Sequence, residues 1–238
     1  MRKVLCEHCG TRSACCIADL PDEDLDAFRA VSVSAIYKRR QVVFHEGQPA
    51  TGLYMLCHGA VKVYQSDRFG RDHILAVTAP GDILGEMPLD PTETYTTSAE
   101  ALVDSQLCFL ARDRIVPFIE KHPQTGIRLI AALSASLSTA RRKVRALALK
   151  SAESRLAELL LHLSSVSGEP GKNGSTHIKL TYTRREMAEM IGVSTETAIR
   201  LLGRLKLKKA INTAHRDIVV ADADKLSRIA NHDNTAAA

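Results

Sequence analysis

The sequence predicts an α+β fold with two domains, and three observations lead to this prediction. The chain has 238 residues, which suits one large domain or two smaller ones at about 100 to 200 residues per domain. Short β-rich runs separated by Gly or Pro recur between residues 35 and 110, and the hydrophobic period becomes helical from Gly126 onward. Hydrophobic residues make up 45% and charged residues 25% of the chain, which excludes disordered, collagen-like and coiled-coil proteins.

The predicted elements follow in order along the chain. Residues 1–20 form a short cysteine-rich arm, and residues 21–29 predict a short helix with acidic residues in its first turn. Many short strands at regular spacing are typical of a barrel or jelly roll. We therefore place a jelly-roll domain at residues 21–122, a long helix at 123–150 and a C-terminal domain at 151–238.

The long helix carries an apolar stripe whose members are spaced by three and four residues in alternation: Ile130, Leu133, Leu137, Ala140, Val144 and Leu147. This pattern fits either a helix packed on its own domain or a seam between two helices. The opposite face is rich in Ser, Thr, Arg and Lys, which suits solvent. We therefore favour the seam of a homodimer.

The C-terminal domain begins with a second amphipathic helix, predicted at residues 152–163. Residues 164–175 are rich in Ser, Gly, Pro and Asn, and they predict a mobile loop within this domain. Further on, residues 210–220 predict a β-hairpin.

Residues 183–205 predict two helices joined by a tight turn, with the hairpin after them as a wing. Gly192 suits a turn conformation that residues with a Cβ resist, and Ser194 suits the N-cap of the second helix. Such a helix-turn-helix inserts its second helix into the major groove of DNA. The candidate DNA contacts are Thr183, Arg184, Thr195, Glu196, Ile199 and Arg200.

The chemistry of the second helix suits base edges. Arg200 can bond guanine O6 and N7, Glu196 can accept from cytosine N4, and Ile199 can pack on a thymine methyl group. The alternative is a surface Glu–Arg pair four residues apart. Residues 1–140 carry 14 basic and 17 acidic side chains, whereas residues 141–238 carry 18 and 10. The basic excess therefore lies where a polyanion would bind.

The order of these domains, together with the segment TRREMAEMIGVSTET at residues 183–197, resembles the CRP/FNR family of bacterial transcription regulators across essentially the whole chain. The resemblance implies a jelly roll like that of cyclic-nucleotide-binding proteins, palindromic double-stranded DNA as the target, a homodimer, and RNA polymerase as a partner. It maps the family's base-reading Glu and Arg onto Glu196 and Arg200. Ile199 stands where the FNR subgroup usually has Ser, so the exact half-site stays open.

Several classes of function are not expected. The sequence has no apolar run long enough to span a membrane, and the start breaks off before a signal-peptide apolar region forms, so we expect a cytoplasmic protein without a membrane partner. It has no evident nucleophile–base pair, paired acids or phosphate loop, so we do not expect an enzyme. Cyclic-nucleotide members of the family bind phosphate with an Arg-Ser pair. Residues 81–101 keep Gly85 and Glu86 but hold five carboxylates and no Arg or Lys, so we expect no cyclic nucleotide.

Six cysteines stand at positions 6, 9, 15, 16, 57 and 108. The spacing of Cys6, Cys9 and Cys15 resembles the arm of the FNR subgroup, and Cys108 stands where that subgroup takes its fourth ligand. The resemblance implies a [4Fe–4S] cluster on these four residues, because soft thiolates hold iron–sulfur centres well. It also implies a response to oxygen, with nitric oxide as a further candidate signal, and DNA binding while the cluster is intact.

Other interpretations of the cysteines stay open. Cys16 could replace Cys15 as a ligand, and Cys57 lies in an apolar run typical of a buried strand. A zinc site with His8 as an alternative ligand, or a thiol/disulfide switch, would replace gas sensing while leaving the DNA-binding prediction intact. A haem-type or other effector in the jelly roll is a further alternative.

Overall fold

The computed structural model describes residues 13, 15–87, 90, 92–171, 174–178, 182–214 and 217–231. The chain divides into two compact units, residues 1–140 and 141–238. Among the described residues, no helix is both long and apolar enough to cross a membrane.

The first unit confirms the predicted jelly roll. Its described strands are β1 (Ser32–Tyr37), β2 (Val42–Phe44), β3 (Gly52–His58), β4 (Val61–Ser66), β5 (Asp72–Thr78), β6 (Ile83–Glu86), β7 (Ser98–Ala101) and β8 (Ser105–Ala111). They form two antiparallel sheets with strand orders β1-β8-β3-β6 and β2-β7-β4-β5. Apolar side chains from both sheets, including Leu56, Val61 and Leu107, pack together in one core.

A second apolar cluster covers the other face of the sheet β1-β8-β3-β6. Strand residues alternate between the two faces, so Leu53 and Met55 of β3 point away from the core that holds Leu56. Two helices, α1 (Leu25–Val31) and α2 (Arg112–Lys121), contribute to this cluster together with Ile17 and Leu20 of the arm. The short helix predicted at residues 21–29 is a 3₁₀ turn at Asp22–Asp24 followed by α1.

The long helix is present as α3 (Pro123–Leu149) and begins three residues before Gly126. Near its start Thr125 and Leu129 are buried, and Leu129 joins the second apolar cluster. The start of α3 therefore packs on the same layer as α1 and α2.

The second unit contains four helices in its described part after α3: α4 (Ala152–Ser167), α5 (Arg184–Ile191), α6 (Thr195–Leu207) and α7 (Ala223–Ala230). Its sheet has the order β11-β12-β10-β9, with β9 (Gly168–Pro170), β10 (Thr176–Ile178), β11 (Ile211–Ala214) and β12 (Asp217–Val220). Leu156, Leu160, Ile178, Leu202 and Ile218 lie in one buried core shared by these helices and strands. The predicted hairpin is β11 and β12, and its tip at residues 215–216 lies outside the described residues.

The prediction of a mobile loop at residues 164–175 was wrong for residues 164–170. Helix α4 continues through Ser167, and β9 follows directly and pairs with β10. The hydroxyls of Ser164 and Ser165 donate to the carbonyl oxygens of Leu161 and His162, at 2.8 Å in each case. These serines therefore bond within the helix instead of breaking it, because their hydroxyls find partners one turn back.

Candidate functional sites

The start of α5 is fixed by a capping box. The Thr183 hydroxyl oxygen accepts the backbone N–H of Glu186 at 3.1 Å, and the Glu186 carboxylate accepts the backbone N–H of Thr183. Two backbone donors that the helix leaves unpaired are thereby satisfied. Thr183 stays exposed, and Arg184, the first residue of α5, is half-buried.

The turn between α5 and α6 is made by Gly192 and Ser194. Gly192 has φ of 69° and ψ of 47°, the left-handed conformation that glycine adopts without a steric penalty. The Ser194 hydroxyl accepts the backbone N–H of Thr197 at 3.2 Å and caps α6. The structure thus contains the predicted helix-turn-helix.

The two faces of α6 differ sharply. Its buried side is made of apolar residues, namely Ala198, Leu201, Leu202 and Leu205. On the other side Glu196 and Arg200 are exposed, Ile199 keeps 54% of its surface exposed, and Thr195 is half-buried. An exposed isoleucine between two charged residues suits a surface that meets base edges.

Glu196 and Arg200 do not form the surface pair that the sequence left as an alternative. Within the described part of the chain, neither side chain takes part in an ion pair. Hydrogen bonds from its own backbone N–H and from the Ser194 hydroxyl lower the pKa of Glu196. Its carboxylate is therefore an acceptor at neutral pH, and the guanidinium of Arg200 is available to a ligand.

Arg155 makes two structural hydrogen bonds that the sequence did not reveal. Its guanidinium donates from Nε to the carbonyl oxygen of Ile191 at 2.9 Å and from Nη1 to that of Lys150 at 2.8 Å. It thereby joins the last residue of α5 to the residue that follows α3. Its partners are backbone carbonyls far apart in sequence, so no pattern of residue types could have identified it.

Leu147 also contacts the helix-turn-helix. A Cβ built on Gly192 would lie 3.1 Å from Leu147 Cδ2. Leu147 is one of the predicted seam residues and keeps 45% of its surface exposed. This side chain therefore touches the turn and also remains accessible to a second molecule.

The predicted seam is exposed in the single chain. Ile130 and Val144 keep 66% and 67% of their surfaces exposed, and Leu137 keeps 52%. Leu133 and Ala140 are exposed as well. The described residues of the chain therefore leave this stripe largely uncovered, unlike the buried Leu129 next to it.

Four cysteines lie together in the second apolar cluster of the jelly roll, namely Cys15, Cys16, Cys57 and Cys108. No disulfide joins any two of these four residues. Cys108 of β8 is buried, and its sulfur lies 3.4 Å from the sulfur of Cys57 on β3. Cys15 contacts the sulfur of Met55 at 2.8 Å. The end of the arm therefore packs onto the strand pair that carries Cys57 and Cys108.

The Cys16 thiol is buried beside the same sulfurs. A hydrogen bond with Cys15, burial, and the nearby Cys15 and Cys108 together raise the pKa of Cys16 far above its usual value. The predicted ligands Cys15 and Cys108 thus belong to the same apolar cluster, and both act on the Cys16 thiol. The other two predicted ligands, Cys6 and Cys9, lie outside the described residues.

The donor set suits the implied cluster chemically. Among the described residues, no three His, Cys, Asp or Glu side chains are grouped closely enough to hold a metal ion. Cys15, Cys16 and Cys108 nevertheless supply soft sulfur donors in an apolar surrounding, which is the chemistry that iron–sulfur centres require. The described cysteines are thus of the donor type that an iron–sulfur centre uses, although no three of them are grouped as a metal site.

The region after β6 lacks a cationic group for a phosphate. Thr96 donates its hydroxyl to the Glu86 carboxylate at 2.6 Å, and Tyr95 donates to the carbonyl oxygen of Gly52 at 2.9 Å. Tyr95 also stacks on Phe44, with their ring centroids 4.3 Å apart. Residues 81–101 contain no Arg or Lys, so this segment offers an anion no guanidinium or ammonium group.

The first unit is a β-rich jelly roll, and the second carries a helix-turn-helix of the kind that binds DNA. The family model of the cyclic nucleotide-binding domain matches residues 35–122, and that of the Crp-like helix-turn-helix domain matches residues 154–229. Together they cover well over half of the chain. This protein belongs to the CRP/FNR family of transcription regulators and is a DNA-binding regulator, not an enzyme.

The chain is similar to curated regulators over most of its length. It is 25% identical to the transcriptional activator protein Anr of Pseudomonas aeruginosa over 226 residues, which cover 94% of this chain and 92% of that protein. It is also 25% identical to a CRP-like cAMP-activated global transcriptional regulator of Mycobacterium tuberculosis, over 81% of this chain and 85% of that protein. An anaerobic regulatory protein of Pasteurella multocida is 25% identical over 92% of this chain and 80% of that protein.

A solved structure supports the same fold. The structure of FixK2 from Bradyrhizobium japonicum matches with a TM-score of 0.72 and 25% identity, and the match covers 85% of this chain and 98% of that one.

Proposed function

We propose that this regulator senses oxygen, with nitric oxide as a further signal, through a [4Fe–4S] cluster held by Cys6, Cys9, Cys15 and Cys108. When bound, such a cluster supplies a centre that oxygen destroys. The regulator binds palindromic DNA as a homodimer while the cluster is intact, and it releases DNA when the cluster is lost. RNA polymerase is the partner at the promoter.

The packing of the arm onto Cys108 carries this proposal. Cys15 and Cys16 lie more than 90 residues from Cys108 in sequence, yet all three share one apolar cluster. A structural role for the arm alone would not require cysteines at this point of contact. The relative named as an anaerobic regulatory protein supports oxygen as the signal, and the missing cationic residues in 81–101 argue against a cyclic nucleotide such as cAMP.

The arm is connected to the start of α3. Asp19, three residues after Cys16, accepts two hydrogen bonds at 2.6 Å from the guanidinium of Arg128 on α3. Leu129 and Ala132 of α3 pack against the apolar side chains that surround these cysteines. A change in how the arm is held would therefore alter the position of α3, next to the first seam residues.

The seam and α6 complete the proposed response. Burying exposed apolar residues of two α3 helices against each other would stabilise a dimer. A dimer places two α6 helices about one DNA turn apart on a palindrome. Glu196, Ile199 and Arg200 would then contact base edges, and Thr183 and Arg184 would contact the DNA at the start of α5.

Metal content tests the sensing proposal directly. Iron, acid-labile sulfide and zinc are measured per chain in protein purified without oxygen, and the visible spectrum is followed as air is admitted. We expect about four iron and four sulfide per chain, with absorbance that bleaches in air. Cys108→Ser should lose this iron. Cys16→Ser changes a neighbouring thiol of the same apolar core and should retain the iron.

About one zinc per chain without sulfide would refute the gas-sensing proposal and favour a structural metal or thiol switch. A Soret band would instead indicate haem. Equal loss of iron in Cys15→Ser and Cys16→Ser would contradict the assignment of Cys15 as the arm's third ligand.

A further inference from the structure

Cys57 is a cysteine that the proposed ligand set does not use, and its sulfur lies 3.4 Å from that of Cys108. The two residues stand on neighbouring antiparallel strands, where Met55 is paired directly with Cys108. A disulfide bond requires sulfur atoms about 2.05 Å apart, so these two would need to approach by about 1.4 Å. The two sulfur atoms are therefore already in van der Waals contact.

The strand pair allows this small movement. The register of β3 and β8 shifts between Leu56 and His58, which places Cys57 at an irregularity where the regular ladder is interrupted. Just beyond it, the Ser105 hydroxyl bonds both the N–H and the carbonyl oxygen of Ala60 at 3.2 Å. The strands are therefore held together close to Cys57, while the backbone at Cys57 itself is less constrained.

The two thiols differ in access to solvent. Cys57 is half-buried, whereas Cys108 is only 5% exposed. A small water-soluble oxidant therefore reaches Cys57 first, and Cys108 is the neighbour placed to react with the product.

We propose that Cys57 and Cys108 form an intramolecular disulfide when hydrogen peroxide oxidises the metal-free protein. The Cys57 sulfur first takes one oxygen from peroxide, which gives a sulfenic acid and releases water. The Cys108 sulfur then attacks the Cys57 sulfur, so that an S–S bond forms and the S–O bond breaks. The hydroxyl leaves as a second water with the Cys108 proton. Two thiols thus give up two electrons to one peroxide.

This disulfide would control loading of the cluster site, a consequence that rests on the proposed function. With Cys108 bonded to Cys57, the only proposed ligand from the jelly roll is no longer a thiolate. The oxidised chain would then stay metal-free until a thiol reductant restores Cys108.

The experiment maps the disulfide in the full-length chain. The protein is stripped of metal, reduced, treated with one equivalent of hydrogen peroxide, alkylated with N-ethylmaleimide, digested with trypsin and analysed by mass spectrometry without reduction. Tryptic peptides 41–62 and 72–112 contain only Cys57 and Cys108 respectively, and peptide 13–29 contains Cys15 and Cys16. We expect a cross-link between 41–62 and 72–112, and a fall from six to four thiols per chain.

Two variants serve as controls. Cys57→Ser should lose the cross-link, and Cys16→Ser should keep it. A thermal melt of each variant checks its folding. If serine at position 57 destabilises the apolar core of the jelly roll, Cys57→Ala replaces Cys57→Ser.

A cross-link from 13–29 to 72–112, or overoxidised cysteines without a cross-link, would overturn the proposal. After the peroxide step, the iron and sulfide that wild type takes up per chain should fall at least tenfold, and dithiothreitol should restore them. Cys57→Ser should take up the same amounts with and without peroxide. Failure of untreated, reduced protein to take up iron and sulfide would instead refute the proposed cluster, and the cross-link would still be judged on its own.

Discussion

Shortening Leu137 to alanine should weaken the homodimer by a calculable amount. Leu137 lies in the middle of the exposed stripe of α3 and keeps 52% of its surface exposed in the single chain. The proposed seam would bury this exposed half against a second α3 helix. Leu137→Ala therefore removes apolar surface that only dimerisation takes out of water.

The magnitude follows from the buried surface. Leu to Ala removes three carbon atoms, worth about 2.4 kcal/mol when fully buried at about 0.8 kcal/mol for each. About half of that surface changes environment on dimerisation, which gives about 1.2 kcal/mol per protomer and about 2.4 kcal/mol per symmetric dimer. Since 1.4 kcal/mol corresponds to about tenfold, the dimer Kd should rise about 50-fold.

Sedimentation of the anaerobically purified protein over a concentration series gives the dimer Kd. Thr139→Ala is the matched control, because Thr139 is an exposed residue two positions along α3 and therefore on the opposite side of the helix. Its hydroxyl donates to the Ala135 carbonyl oxygen of the same helix at 3.1 Å. We expect Thr139→Ala to leave the dimer Kd within about twofold of wild type.

A Kd that changes less than fivefold in Leu137→Ala would refute the seam. Equal weakening by Leu137→Ala and Thr139→Ala would do the same, because a two-helix seam has one buried side. A dimer that is weakened while the thermal melt of the chain is unchanged would support the reasoning fully.

Four further changes test the helix-turn-helix. Arg200→Ala should weaken binding to the specific DNA by about 1 to 3 kcal/mol and relax discrimination at one base pair, as measured by fluorescence anisotropy. The control Arg204→Ala should weaken binding to all DNA sequences alike. If both variants weakened binding to all sequences equally, base contact by Arg200 would be contradicted. Thr183→Ala removes the cap of α5 and should lower the free energy of unfolding in urea by about 1 kcal/mol, an effect that serine should not produce. Gly192→Ala should lower it by about 1 to 2 kcal/mol because of the left-handed backbone, and an unchanged stability would argue against that conformation. Arg155→Met removes two hydrogen bonds to carbonyl oxygens and should lower the free energy of unfolding by about 2 kcal/mol, at about 1 kcal/mol for each bond. An unchanged or raised free energy of unfolding would show that these bonds do not stabilise the fold.

The described cores and turns explain why much of the fold was predictable. Glycine and proline turns between short apolar runs indicated the jelly roll, and the turn at Gly192 with its cap at Ser194 indicated the helix-turn-helix. These signals are local, because backbone conformation and capping depend on a few adjacent residues. Residues 168–170 were misjudged as loop for the same reason, since β9 is a strand only through its pairing with β10.

The candidate sites also divide into features with a local sequence signal and contacts that depend on the fold. The sequence alone is enough to predict the order of the domains, the apolar stripe of α3 and the residue types on the exposed side of α6, because periodicity and side-chain chemistry are properties of the chain. The folded chain is needed to show that Arg155 bonds Ile191 and Lys150, and that Cys57 lies beside Cys108. Arg155 and Ile191, like Cys57 and Cys108, are distant in sequence, and strand register and packing, rather than any local preference, set which of them meet.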